Sequence, residues 1–254
     1  MGKVIAVANQ KGGVGKSTTA INLSACLAAK GEHVLTIDID PQGNTTSGLG
    51  VDKYNLDSSL YELLLGSADV KNTIIKDVYD NLDLIPSNMD LSGAEIELFE
   101  FDNKEYVLKE IVDKLKRRYD YVIMDCPPSL SILTLNALVA ANSVLVPIQC
   151  EYYALEGLSQ LIQTIGLVKD RLNSKLKIEG ILFTMYDVRN NLSQQVVENV
   201  RDNLDQHIYE TIIPRNVRLA EAPSYGMPII EYDNRSAGAE AFRKLADEII
   251  SGEG

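Results

Sequence analysis

The stretch Lys11-Gly12-Gly13-Val14-Gly15-Lys16-Ser17, followed by Thr18 and Thr19, constrains the fold of this chain more than any other. Glycines at 12, 13 and 15 let the backbone turn tightly and gather its N–H groups on one side of a loop. The preceding run, Val4-Ile5-Ala6-Val7-Ala8, is continuously apolar and reads as a buried parallel strand. Thr18 to Lys30 reads as a helix, stopped by Gly31. Strand, glycine loop and helix N-terminus, in that order, make a cradle for phosphate. In such a cradle Lys16 is placed to reach β- and γ-phosphates, and the Ser17 hydroxyl to bind Mg²⁺. The usual loop has its first glycine where this chain has Gln10, and here a second lysine, Lys11, stands at the entrance.

The rest of the chain alternates strands and helices. Val34 to Asp38 reads as a strand that runs into the polar loop Asp38 to Asn44, at the strand end where open α/β sheets bind ligands. Short helices are expected over Leu60–Leu65 and Val70–Ile75, a strand over Leu82–Pro86, and helices near Leu91–Phe99 and Lys104–Arg118. The basic run Lys114 to Arg118 reads as charge matched to a helix C-terminus. Tyr121-Val122-Ile123-Met124-Asp125 is a second landmark, an apolar strand that delivers a carboxylate next to the metal; Cys126-Pro127-Pro128-Ser129 then forms a stiff turn. Strands follow over Ser143–Ile148, Ile178–Thr184 and Ile208–Ile213. Helices follow from Gln149–Gly157 to about Leu172, over Leu192–Leu204 and over Gly238–Ile250. This pattern predicts an α/β fold, a single doubly wound, mostly parallel sheet with helices on both faces, and one domain over residues 1–254.

Composition narrows the classes of function. The length of 254 residues fits one large α/β domain, and 45% hydrophobic residues suffice for a sizeable core. No apolar run reaches the roughly 18 residues of a membrane span, and the chain enters its first strand with no room for a signal peptide. Cys26, Cys126 and Cys150 match no metal or disulfide spacing and suit a reducing cytoplasm. A formal charge of −12 excludes a broadly basic nucleic-acid binder, so any DNA contact requires a local basic patch.

Lys-Gly-Gly-Val-Gly-Lys-Ser resembles the deviant Walker A motif of the ParA/MinD ATPases, a branch of the P-loop NTPases. Asp38 to Asn44, Asp125 to Ser129, Gln149 to Gly157 and Pro214 to Ser224 are similar to the chromosomal ParA (Soj) branch, in number and in order. Ser17 departs slightly, since many relatives carry Thr there. The resemblance implies ATP/ADP and Mg²⁺ as cofactors. It assigns nucleotide binding to Lys11, Gly12, Gly13, Val14, Gly15, Lys16, Ser17 and Thr18, with Pro214 and Asn216 against adenine. It gives catalytic roles to Lys11, Lys16 and Asp40: Lys11 reaching the partner subunit's nucleotide and Asp40 orienting the attacking water. Ser17 and, through its water shell, Asp125 hold the metal, and Asp38 is left open between a structural and a direct role. Arg189 and Arg218 match DNA-binding positions.

The resemblance further implies an ATP-dependent homodimer that binds double-stranded DNA non-specifically, has weak ATPase activity and acts with a ParB-type protein in chromosome or plasmid segregation. The protein would be cytoplasmic, on the nucleoid when ATP-bound, with no membrane expected. In sporulating relatives such a protein also regulates replication initiation and sporulation. The alternative is a MinD-like membrane-cycling ATPase for division-site placement, which needs a basic amphipathic C-terminal helix; Leu245 to Gly254 is acidic. An iron–sulfur reductase needs cluster-bridging cysteines, a pattern that Cys126 and Cys150 do not match. A structural ATP-dependent filament stays open.

Overall fold

Alternate residues of the first strand face opposite ways, and both faces are apolar. In β1 (Lys3–Val7), Val4 and Ala6 pack to one side and Ile5 and Val7 to the other, all essentially unexposed. A strand buried on both faces needs a neighbour on each edge and helices above and below. The computed structural model supplies them, and it describes residues 2–151 and 154–252, without the side chains of 154–156. Tyr152 and Tyr153 of the Gln149–Gly157 segment, and Glu253 and Gly254 of the acidic end, lie outside the described residues.

After β1 come α1 (Lys16–Ala29), β2 (Val34–Asp38), α2 (Asn44–Gly48), α3 (Leu60–Leu64), α4 (Val70–Thr73), β3 (Ile75–Tyr79) and β4 (Leu82–Ile85). Then follow α5 (Leu91–Glu97), α6 (Val107–Leu115), β5 (Tyr121–Asp125), α7 (Ile132–Ala140), β6 (Ser143–Gln149), α8 (Ala154–Arg171) and β7 (Lys177–Thr184). The chain closes with α9 (Asn191–Asn203), α10 (Val217–Glu221), α11 (Ile229–Tyr232) and α12 (Ala237–Ser251). The sheet has seven strands in the order β3-β4-β2-β5-β1-β6-β7, parallel except for the β3–β4 pair at one edge. One apolar core lies between the sheet and α1, α10, α11 and α12. The other lies between the sheet and α3, α5, α6, α7, α8 and α9. The doubly wound, mostly parallel sheet expected from the sequence is therefore present.

Four local expectations are corrected. The helix expected over Val70–Ile75 stops at Thr73, and Ile75 opens the antiparallel edge strand β3; Asp77, at φ 52°, breaks its register. The strand expected over Ile208–Ile213 is not a ladder. It runs beside β7 through single bonds such as Ile213 N–H to Phe183 O (2.8 Å), with isolated bridges at Ile181–Ile208 and Tyr186–Pro214. β7 carries an extra residue at Glu179 in its pairing with β6, and a bulge of that kind interrupts regular pairing. Helix α6 covers less than Lys104–Arg118: Lys114 sits in its last turn and Lys116 caps it, while Arg117 and Arg118 lie exposed beyond. Helix α7 has no counterpart among the expected elements, because Ile132-Leu133-Thr134-Leu135 onward is apolar on nearly every side and shows no stripe.

Candidate active site

The loop after β1 depends on glycine at two points. Gly13 (φ 74°) and Gly15 (φ 89°) take left-handed conformations, and Gly15 is the residue from which α1 starts. Side chains brace the loop from behind. Asn9 Nδ2–H donates to Pro147 O (2.8 Å), and its Oδ1 accepts the Lys11 N–H (3.0 Å). The Thr184 hydroxyl lies 2.8 Å from Val14 O and 3.1 Å from Ile148 O, joining the loop to β6 and β7.

The Lys16 side chain turns back over this loop and donates to Lys11 O at 3.1 Å. Burial lowers its pKa below the ordinary lysine value, opposed by Asp125, Cys126 and Asp40. It lines a cleft of about 600 Å³ together with Gly12, Gly13, Gly15, Ser17, Thr18, Asp40, Asn44, Pro128 and Met185. An adjoining, mostly apolar pocket of about 190 Å³ is formed by Gly15, Thr18, Thr19, Met185, Ile213, Pro214, Asn216, Leu219 and Phe242. Gly15, Thr18 and Met185 belong to both. A cleft over a glycine loop, lined by Lys16, Ser17, Thr18 and Asp40 and adjoining an apolar pocket, suits a phosphate chain joined to a flat base.

The ends of β2 and β5 bring two carboxylates side by side: Asp38 pairs with Asp125 in the parallel register, and both are fully buried. Burial pushes both above the usual carboxylate range, and Asp125 adds to the shift at Asp38. The hydroxyls of Ser17 and Thr45 pull Asp125 the other way. Asp125 Oδ2 accepts from Thr45 Oγ1 (2.7 Å), whereas its buried Oδ1 has no hydrogen-bond partner among the described residues. A buried carboxylate oxygen left over, beside a serine hydroxyl and a phosphate cleft, fits a hydrated Mg²⁺. Asp40, also buried, lines the cleft, and its Oδ1 accepts the Gln42 N–H (2.9 Å).

Lys11 goes elsewhere. Its ammonium meets Glu151 Oε2 at 2.5 Å, with both side chains about half exposed. Arg189 is exposed and gripped by both oxygens of Asp187 (3.0 and 2.8 Å). Arg218 is held by Glu221 (2.9 Å) and Asp233 (3.6 Å). The two arginine loops are neighbours, because Tyr186 N–H bonds Ile213 O (3.1 Å) and Arg215 N–H bonds Tyr186 O (2.9 Å). The sequence reading missed Thr45, Thr46, Ser87, Glu151, Thr184 and Met185. Signals existed for Thr45 and Thr46, a hydroxyl pair directly after the Asp38–Asn44 loop, and for Glu151, which lies inside the Gln149–Gly157 segment.

A family model described as an AAA domain matches residues 2–178. The chain is 55% identical over 251 residues to the sporulation initiation inhibitor protein Soj of Bacillus subtilis, spanning 99% of each. It is 51% identical over 253 residues to the chromosome partitioning protein ParA of Caulobacter vibrioides, spanning 99% of this chain and 95% of that one. This chain belongs to the ParA/Soj family of ATPases. Its fold is shared with a crystal structure described as cobyrinic acid a,c-diamide synthase from Mycobacterium smegmatis with bound ADP and magnesium. That structure has a TM-score of 0.87 and 40% identity, and the match covers 98% of this chain and 94% of the other. In this ParA/Soj-family ATPase the three free cysteines are buried. Among the described residues no group of three or more His, Cys, Asp or Glu is placed to hold a metal. A hydrated Mg²⁺ beside phosphates needs only one or two carboxylates, as at Asp125.

Proposed function

We propose that this ATPase is a DNA-partitioning switch in which residues 1–254 act as one domain. ATP binding drives a homodimer, the dimer binds double-stranded DNA without reading sequence, and hydrolysis releases it. A ParB-type partner accelerates the hydrolysis, and the cycle runs in the cytoplasm, on the nucleoid while ATP is bound. The observation that carries this reading is Lys11. A lysine at the mouth of a phosphate loop, half exposed and turned to Glu151, is available to a nucleotide on a second subunit.

Within one subunit, Pro214 and Asn216 face the base, the backbone of Gly12 to Thr18 cradles the phosphates, and Lys16 pairs with their charge. Mg²⁺ held by Ser17 and Asp125 supplies neutralisation of the phosphate oxygens. Asp40 orients the attacking water. A membrane-cycling role is less well supported. Helix α12 mixes Glu240, Asp247 and Glu248 with Arg243 and Lys244, so it has no basic face for anionic lipid. Among the described residues no helix is long and apolar enough to cross a membrane.

Lys11→Ala tests the switch. ATP affinity should stay within about threefold of wild type, because a contact made only in the dimer leaves binding to the single chain alone. The ATP-dependent dimer should vanish in size-exclusion chromatography. A normal ATP dimer in this variant refutes the cross-subunit role.

For DNA, Arg189 and Arg218 form the patch with Arg215, which is exposed and has no ion pair with the described residues. Asp187, Glu221 and Asp233 compete with phosphate for two of the three guanidinium groups, which favours weak, sequence-blind contact. Arg189→Ala and Arg218→Ala should each weaken duplex binding while ATP dimers persist in light scattering. The log–log salt dependence should flatten by about 0.9 for each DNA phosphate that the variant leaves unneutralised. An unchanged affinity and slope in both variants puts the patch elsewhere.

A further inference from the structure

Asp40 sits in a closed ring of buried hydrogen bonds. Its backbone N–H donates to Asp38 Oδ1 (3.2 Å). Asp38 Oδ2 accepts both the backbone N–H and the hydroxyl of Thr46 (2.7 Å each). The Thr46 hydroxyl oxygen accepts the Ser87 N–H (2.9 Å), and the Ser87 hydroxyl donates to the Asp40 carbonyl (2.9 Å), which closes the ring. Asp38, Thr46 and Ser87 are fully buried and Asp40 nearly so. The ring ties the end of β2, helix α2 and the loop after β4 to the two peptide groups that flank one side chain.

Two features separate this from ordinary loop packing. The ring grips both the N–H and the C=O of a single residue, so it sets the direction in which that residue's side chain leaves the backbone. Its neighbour in α2, Thr45, donates to Asp125 (2.7 Å), so adjacent threonines hold the carboxylate at the end of β2 and the carboxylate at the end of β5. Helix α2 has five residues and no side-chain N-cap, so it has little rigidity of its own, and these two hydroxyls anchor it. Apolar side chains would bury the same loops without fixing a direction.

We propose that Thr46 and Ser87 are positioning residues for ATP hydrolysis, holding Asp40 through its backbone at the orientation that aims its carboxylate at the attacking water. The proposal rests on the water-orienting role given to Asp40 above. Orientation errors of about 1 Å cost on the order of 10²-fold in rate, so a hydroxyl that touches no substrate still governs turnover.

Three variants test it. Thr46→Val keeps shape and removes the hydroxyl, Ser87→Ala removes only the bond to the Asp40 carbonyl, and Thr46→Ser restores the hydroxyl. Steady-state ATPase should show kcat lowered by about 10- to 100-fold in the first two, with KM for ATP within about threefold. Hydrogen exchange should quicken at the amides of Gln42 and Gly43, which donate to Asp40 Oδ1 and to the Asp40 carbonyl, with no change in β7. Thr46→Ser should return kcat and exchange toward wild type. Unchanged kcat in Ser87→Ala overturns the proposal. So does a fall in kcat matched by an equal loss of ATP affinity, or a Thr46→Ser variant as slow as Thr46→Val. Asp40→Ala is run alongside: if it turns over normally, the role of Asp40 itself falls and the positioning role with it. If Asp40→Ala is inactive and Ser87→Ala is normal, only the ring is at fault.

Discussion

Lys16→Ala will abolish ATP-dependent dimerisation, and DNA binding and hydrolysis will go with it. The Lys16 ammonium is mostly buried and donates to the neutral Lys11 carbonyl. Burial of a charge is costly, and the lowered pKa of Lys16 expresses that cost even though Asp125 and Asp40 offset part of it. Polyphosphate adds further negative charge directly over the cleft that Lys16 lines. Hydrogen bonds to charged groups contribute about 1.5–3 kcal/mol each, so the loss of even one weakens ATP binding by roughly 10- to 150-fold. Removing Lys16 relieves its own desolvation but takes a counter-charge from the buried Asp125, so the nucleotide-free variant should melt close to the wild-type temperature. Wild type should gain further stability with ATP and Mg²⁺ through binding linkage, and the variant should not. Thermal melts with and without nucleotide, paired with titration of a fluorescent ATP analogue, measure both halves. Wild-type affinity in Lys16→Ala would remove the phosphate-cradle reading.

What the sequence disclosed follows from the kind of signal each residue carries. β1, β2 and β5 were legible because each is a short apolar run that ends at a polar residue. Their ends also located Asp38, Asp40 and Asp125 at one sheet edge from the sequence alone. The edge strand β3 and helix α7 were not legible, one because Asp77 interrupts its alternation and the other because apolar residues surround it. The Asp40 ring was invisible for a different reason. Thr46 and Ser87 are 41 positions apart, and Thr45 and Asp125 are 80 apart, so their bonds depend on how β2, β4 and β5 are ordered in the sheet. Periodicity reports which face of one element is buried, not which side chain of another element meets it. The arginines show the same limit. Arg189 and Arg218 could be placed near the nucleotide edge, but Asp233, the more distant partner of Arg218, comes from the segment after α11.

The carboxylates at this edge divide the work by burial and bonding. Asp38 has its oxygens committed to Thr46 and Asp40, and it touches the loop only through them. Asp125 keeps one buried oxygen without a hydrogen-bond partner among the described residues, and Ser17 and Lys16 both act on its carboxylate. Asp40 alone among the three lines the cleft. That division favours a positioning role for Asp38 over direct participation.

Asp40→Ala should therefore separate binding from turnover more cleanly than any other substitution. The backbone of Asp40 is held by Asp38, Ser87 and Gly43, and none of those bonds uses its side chain. The side chain accepts the N–H of Gln42, an exposed residue, and water can replace that bond at little cost. The loop should keep its shape. Asp40 also adds negative charge near Lys16 and Asp125, so its removal takes a repulsive charge away from the phosphates. ATP affinity should stay the same or rise slightly. With the proposed water-orienting carboxylate gone, hydrolysis should slow by the roughly 10²- to 10⁴-fold that a positioned acid–base group of this kind contributes. The ATP dimer should then accumulate and stay on DNA far longer than wild type does. Phosphate release, ATP affinity and the lifetime of the DNA-bound dimer, measured on one preparation, give the three readouts. Asp40→Asn, which keeps the shape and drops the charge, should match Asp40→Ala in phosphate release if the charge orients the water. Normal phosphate release in Asp40→Ala refutes the assignment, and a parallel loss of ATP affinity would make Asp40 a part of the binding loop instead.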